Sequence, residues 1–311
     1  MQVAFVGFIM KEIYLVLSKL AEQNRHVLSS WRAHLILRQE VDSFYDESKA
    51  QRIVEKLQRE GLTEVIKGKT LYKVTSPYAR ESVNRYELAN EAYPFGILSH
   101  SSALEIHQLT DQRSRQIHLY EGPSSPGAVL KRTDSGETEP LVPPETKPED
   151  WRMHPLPQSA RVEEYDDFTM VTHRLKEDWF FGHEVSRTGG VEVRCTDVER
   201  TLIDGLRHPG RCGGMNEVFR AWVRADPSPE RLVNYARRFD QLILYQRIGF
   251  VMETLGMDHH ELKRWKEEKS PRGGSRVLNP EREFQSEYSG EWNLSINHPT
   301  AILTERDASY S

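Results

Sequence analysis

The chain reads as an α+β protein: an amino-terminal winged helix-turn-helix, then a mixed domain with an antiparallel sheet and a helical carboxy-terminal part. Three observations predict this. Residues 1–82 show three helix-period apolar patterns followed by a short hairpin pattern with a basic tip. Three strand-like runs lie between residues 168 and 195, two of them joined by Gly189-Gly190. From Thr196 onward the apolar spacing is helical. With 311 residues the chain is long enough for two domains. The expected boundaries are 1–82, 83–269 and a tail, 270–311.

In the first segment, Phe8, Ile9, Ile13, Val16, Leu17 and Leu20 share a helical face, and Asn24-Arg25-His26 interrupts it. The apolar opening lacks a basic leader and a small-residue cleavage site, so it reads as packed helix rather than a signal peptide. Ser29 or Ser30 can cap a second helix over Trp31–Arg38. A third helix begins near Asp46-Glu47-Ser48 and stops at Gly61. Ala50, Ile53, Val54 and Leu57 form its apolar stripe, and Lys49, Arg52 and Lys56 form a second, basic one. Leu62–Val74 then reads as two short strands around Gly68.

A recognition helix needs one face to pack and another to present donors. Arg and Lys reach phosphates or guanine edges, and Gln can pair with adenine. Lys49, Gln51, Arg52 and Lys56 supply that set, Lys67 and Lys69 at the wing tip suit phosphates, and Arg32 at the start of the second helix suits the backbone. Residues 1–82 hold 13 Lys and Arg against 10 Asp and Glu, a net charge of +3, whereas the rest of the chain carries −8. A mildly basic reader on an acidic body fits a module that meets DNA with one end only.

Further along, Asn84–Tyr93 and Ser101–His107 read as helices and Gln116–Tyr120 as a strand. The stretch 122–160 contains eight of the 16 prolines and reads as an insertion loop at the surface. Helices are expected from Asp197 through Leu206, over Glu217–Arg224, Pro229–Arg238 and Gln241–Leu255. Leu294 and Ile296 mark a short docked strand near 292–297.

No strong catalytic pattern is present: there is no GxGxxG, phosphate-loop lysine, HExxH or GxSxG. No catalytic residue, metal or cofactor is therefore assigned. Asp258-His259-His260 and the pair His100 and His107 are the residues a metal-dependent nucleic-acid enzyme would draw on, and a helix cap and hydrogen-bonded structural histidines are the competing reading. Cys195 and Cys212 form no CxxC pair and point to a reducing cytoplasm. No run approaches the length of a membrane helix.

Two segments resemble the AbiEi-type antitoxin family. Leu98–Asp111, LSHSSALEIHQLTD, is similar to that family's SH-x-SAL-x-xH-x-LTD element, with Ser99, His100, Ser102, Leu104 and His107 at the matching places. Val191–Leu206, VEVRCTDVERTLIDGL, resembles its V-x-D-x-ERTL-x-D element through Asp197, Glu199, Arg200, Thr201 and Asp204. Tyr245–Phe250 and Trp292–Asn297 follow in the same order. The resemblance implies a repressor that binds inverted repeats of double-stranded DNA in its own promoter and counters a nucleotidyltransferase-like toxin in phage defence. The insertion at 122–160 is longer than the family's usual one. A protein-interaction subunit that never meets DNA is the other class left open. The second element also has a plain physical reading: Asp197 caps a helix, Arg200 and Asp204 pair at i,i+4, and Thr201, Leu202 and Leu206 face the core.

Overall fold

A computed structural model describes residues 2–78, 82–122, 141–152, 156, 160–268 and 276–304, with the side chains of the first nine residues left aside. The chain divides into two compact units. Unit 1 comprises Met1–Leu98, Tyr120–Thr172 and Val185–Arg194, and unit 2 comprises Ser99–Leu119, His173–Glu184 and Cys195–Ser311.

Unit 1 opens with α1 (Gln2–Glu22), β1 (Val27–Ser29), α2 (Ser30–Glu40), α3 (Glu47–Arg59), β2 (Thr63–Lys67) and β3 (Leu71–Val74). Ser29 starts α2 by accepting the Arg32 N–H, and Asp46 starts α3 by accepting the Lys49 N–H. Gly61, at φ 71°, follows the end of α3 in the left-handed conformation that glycine adopts without penalty. The strand β1 was not expected. Three apolar-to-small residues, Val27-Leu28-Ser29, are too few to show a period, and their pairing with β3 decides the matter. Val27 lies opposite Lys73 and Ser29 opposite Leu71, giving a sheet ordered β1-β3-β2. Ile13, Leu17, Leu20, Ile36, Ile53, Val54, Leu57 and Tyr72 pack into one core beneath these elements.

The helix α4 (Arg85–Ala92) is capped by Asn84, and β4 (Ile97–Leu98) follows. Of the proline-rich stretch 122–160, residues 123–140 lie outside the described residues. Residues 141–152 depart from the expected surface loop. Leu141 and Val142 are buried, and a single-turn helix α6 (Pro148–Arg152) places Trp151 against Trp31, with ring centroids 5.3 Å apart. Proline at the first position of a helix is sterically easy, so a proline-rich stretch need not be irregular.

Unit 2 holds α5 (His100–Ile106), α7 (Val198–Arg207), α8 (Met215–Arg224), α9 (Pro229–Phe239), α10 (Leu242–Thr254), α11 (His260–Glu267) and α12 (Ala301–Thr304). Phe181, Leu202, Phe219, Trp222, Leu232, Ile248, Trp265 and Trp292 are part of its core. A short hairpin, β10 (Tyr288–Ser289) with β11 (Leu294–Ser295), supplies Leu294 to that core.

The larger sheet contains β5 (Gln116–Tyr120), β6 (Glu164–Tyr165), β7 (Phe168–His173), β8 (His183–Thr188) and β9 (Val191–Thr196) with β4, in the order β6-β7-β5-β4-β9-β8. A strand expected over Trp179–Val185 starts later, at His183, because Glu177–Trp179 forms a 3-10 turn. No helix among the described residues is long and apolar enough to cross a membrane.

Candidate functional site

The sequence-predicted contacts of unit 1 separate into two groups. On α3 the apolar stripe Ala50, Ile53, Val54 and Leu57 is buried, which turns Lys49 and Arg52 outward and leaves Lys56 half-exposed. Gln51 is half-buried, and its Oε1 accepts the Ser30 hydroxyl at 3.4 Å. Lys67 and Lys69 are exposed on the β2–β3 turn around Gly68, whose φ is 56°. Among the described residues none of these five cations pairs with a carboxylate.

Arg32 belongs to the second group and corrects the expectation. Its side chain is 2% exposed, and Nε donates to Glu91 Oε1. Nη1 reaches Glu145 Oε2 at 3.3 Å, and the guanidinium lies 4.6 Å from the centre of the Trp31 ring. Arg25 joins it, donating to Glu91 Oε1 at 3.1 Å and to Glu145 Oε2 at 2.7 Å. Ser29 donates to the other oxygen of Glu91 at 2.6 Å. Two buried guanidiniums therefore share two carboxylates, and Arg32 is not available to a phosphate. A third acid, Glu87, accepts the backbone N–H groups of His26 and Val27 at 2.7 and 2.8 Å. Burial pushes its carboxyl up to about 7, against the pull of Arg25, with the neighbouring Glu91 carboxylate adding to the rise.

In unit 2 the residues of the two family-like elements bind one another and their own backbone. The Asp197 side chain caps α7 at the Arg200 N–H (2.9 Å) and accepts from Arg231 (2.7 Å) and the Tyr235 hydroxyl (2.6 Å). Glu199 accepts the Ser228 N–H at 2.9 Å. Arg200 pairs with Asp204 at 2.9 Å and donates to the carbonyls of Trp179 and Phe181. Arg207 takes the second Asp204 oxygen at 2.9 Å. Thr201 and Thr196 share a hydroxyl bond of 2.7 Å. The helix α7 is thus tied by charge-assisted bonds to α9 and to the turn before β8.

Ser102 accepts the His118 N–H at 2.9 Å, Leu104 is buried, and His107 Nε2 donates to the Thr196 carbonyl at 2.7 Å. Ser99 meets His100 Nδ1 at 2.9 Å, and His100 holds a φ of 52°. Sequence reasoning missed the company His100 keeps. The rings of His118, His173 and His208 lie with centroids 5.7, 5.1 and 5.9 Å from its own. His118 Nδ1 and His173 Nε2 are 2.9 Å apart. Burial first, and the nearby Arg211 charge second, hold His118, His173 and His208 down at about 4. These four histidines are scattered over 108 positions of sequence, and no local spacing links them.

His259 caps α11 by accepting the Glu261 N–H at 3.2 Å and meets Glu230 at 2.8 Å, while His260 stands exposed. Among the described residues no group of three or more His, Cys, Asp or Glu side chains is placed to hold a metal ion. Both cysteines are buried and neither is in a disulfide among the described residues, and burial pushes the Cys212 thiol up.

No family model matches the chain. No curated protein matches it either. Among solved structures it is similar to the crystal structure of the RV2827C protein from Mycobacterium tuberculosis, with 13% identity over 94% of this chain and 93% of that one and a TM-score of 0.51. At that identity the likeness concerns the mixed α and β fold alone.

Proposed function

We propose that this protein is a DNA-binding transcriptional repressor and antitoxin of an AbiE-like operon, acting in the cytoplasm without catalysis of its own. The observation that carries the reading is the division of α3 into a buried apolar stripe and a cationic face that makes no ion pair among the described residues. The order α1-β1-α2-α3-β2-β3, with β1 paired to β3, supports a winged helix-turn-helix in which α3 enters the major groove and the β2–β3 turn touches the backbone. Lys49, Arg52 and Lys56 are the helix contacts, Gln51 is the base-reading candidate, and Lys67 and Lys69 are the wing contacts.

The antitoxin half rests on the resemblance carried by Leu98–Asp111 and Val191–Leu206. The partner is a nucleotidyltransferase-like toxin. The domain reading goes with it: a reader within 1–82, an antitoxin-like region over 83–269 and a docked tail.

A mobility-shift titration of the intact protein on a fragment of its own promoter tests the DNA reading. Arg52→Ala with Lys56→Ala is expected to weaken specific binding, since loss of a recognition-helix contact costs about 1–3 kcal/mol. Unchanged binding would remove α3 from the interface.

A further inference from the structure

Unit 2 has a pocket of about 170 Å³ at the α5 end of β5, whose lining includes Ser101, Gln112, Arg113, His118, Arg211 and Gly213. Arg211 is its anomaly. The side chain is half-buried on the 3-10 turn Pro209–Cys212, yet its guanidinium makes no hydrogen bond and no ion pair among the described residues. The nearby carboxylates are engaged elsewhere: Asp204 holds Arg200 and Arg207, Glu281 accepts the Gly210 N–H at 2.7 Å, and Glu217 beside the lip pairs with Arg220 and accepts the Thr110 hydroxyl at 3.0 Å. The other titratable groups around it are the imidazoles of His100, His118, His173 and His208 and the buried Cys212 thiol, none of which offers a negative charge. A half-desolvated guanidinium without an anion is an unfavourable arrangement that a bound anion would relieve.

Other features of the pocket point the same way. The Ser101 hydroxyl is buried without a hydrogen-bond partner. Arg113 places a second, exposed cation at the mouth. Gly213 at the lip has a φ of 83°, the left-handed conformation that glycine adopts without penalty. The volume holds a tetrahedral oxyanion with its first esterified atoms but not a nucleoside. The planar fork of arginine suits such an anion bidentately.

We propose that this pocket binds a phosphate-type oxyanion, either the inorganic ion or the terminal group of a small phosphomonoester, with Arg211 as anchor, Arg113 at the mouth and the Ser101 hydroxyl as the buried donor. The site is independent of the DNA-reading face.

Calorimetric titration and thermal unfolding of the full chain test it, with inorganic phosphate and glycerol phosphate as probes and chloride at matched ionic strength as the reference. Saturable phosphate binding and a raised unfolding temperature are expected. Arg211→Ala should weaken binding about tenfold or more, as loss of a charge-assisted pair does, with Arg211→Lys intermediate and Ser101→Ala weakened. Lys263→Ala, a surface cation lining another pocket, should bind as the parent does. Tighter binding of glycerol phosphate than of the inorganic ion assigns the site to a phosphomonoester, and the reverse assigns it to free phosphate. Without phosphate, Arg211→Ala should be about as stable as the parent, because its guanidinium makes no hydrogen bond or ion pair among the described residues. Absence of saturable binding, or equal binding by Arg211→Ala, overturns the proposal. If Arg211→Ala unfolds, Arg211 is structural and the assignment falls, unless Arg211→Lys and Ser101→Ala, both folded, still show the graded loss.

Discussion

Two sets of cations lie within unit 1 and meet opposite fates. Arg25 and Arg32 are buried against Glu91 and Glu145, while Lys49, Arg52, Lys67 and Lys69 are exposed and pair with no carboxylate among the described residues. In the sequence both sets read alike, as scattered basic residues of the first segment. The difference comes from acids far away in sequence: Glu91 lies on α4, and Glu145 belongs to the proline-rich stretch. A cation's availability to DNA is therefore set by what long-range contacts leave over, not by its own helix. The buried set holds α2 in place, and the exposed set keeps its charge for a ligand.

The largest expected effect breaks the buried set. Glu91→Ala leaves two guanidiniums with one half-exposed partner, and removing one member of a buried pair costs about 3–5 kcal/mol. Urea unfolding should show that loss in the midpoint. At temperatures where the variant remains folded, its affinity for promoter DNA should stay within twofold of the parent, since no residue of the α3 face is altered. A large loss of affinity in the folded variant would show that the two sets are coupled. Trp151→Ala probes the same region through packing, with a loss of about 3 kcal/mol expected from an aromatic core truncation. A change below about 0.5 kcal/mol would return 141–152 to the status of a surface loop.

Acidity separates unit 1 from unit 2 by sign. Glu87 keeps its proton in the fold up to about 7, whereas an unfolded glutamate loses it near the ordinary value. Between those values the folded form binds more protons, so lowering the pH from 7 to about 4.5 stabilises the surroundings of α4. His118, His173 and His208 do the reverse: they stay neutral in the fold down to about 4, while unfolded imidazoles take up protons near 6.5. Lowering the pH through that window destabilises the surroundings of β5 and α7. Hydrogen exchange followed by mass spectrometry, corrected for the intrinsic rate, should show protection rising along Leu88–Ala92 and falling along Val198–Arg207 as the pH drops. Equal trends in both segments would contradict the two assignments.

The sequence made elements legible where a local rule suffices. Asp46 and Asp197 cap the helices they precede, Asn84 begins α4, and the stripe Ala50-Ile53-Val54-Leu57 faces inward. It concealed whatever depends on distance along the chain. β1 exists because β3 pairs with it. The helix at Pro148–Arg152 is held by Trp31, 120 positions before Trp151. The histidine cluster brings together residues on α5, β5, β7 and the turn before Pro209. For the candidate interface, spacing picked out the face of α3 correctly as a face, but it grouped Arg32 with it because helix period says nothing about Glu91. The alternation of stretches between the two units is hidden for the same reason: composition along 83–269 does not record which neighbour each stretch joins.

The exposed set can itself be divided. Arg52 and Lys56 lie on the helix proposed to enter the groove, so Arg52→Ala with Lys56→Ala should lower specific affinity and flatten the preference for the promoter repeats over unrelated DNA, at about 1–3 kcal/mol per lost base contact. Lys67 and Lys69 lie on the turn, where only phosphates are within reach of the proposed docking. Lys67→Ala or Lys69→Ala should weaken promoter and unrelated DNA by equal factors and reduce the slope of log affinity against log salt by about one each. Neither turn variant should move the urea midpoint, because both side chains are exposed and pair with no carboxylate among the described residues. With about five basic contacts in all, the parent slope should be near −4 to −5 by counterion release. A steeper slope would mean that cations beyond α3 and the turn reach the duplex. An unchanged slope in both lysine variants would take the turn out of the interface and leave α3 as the whole of it.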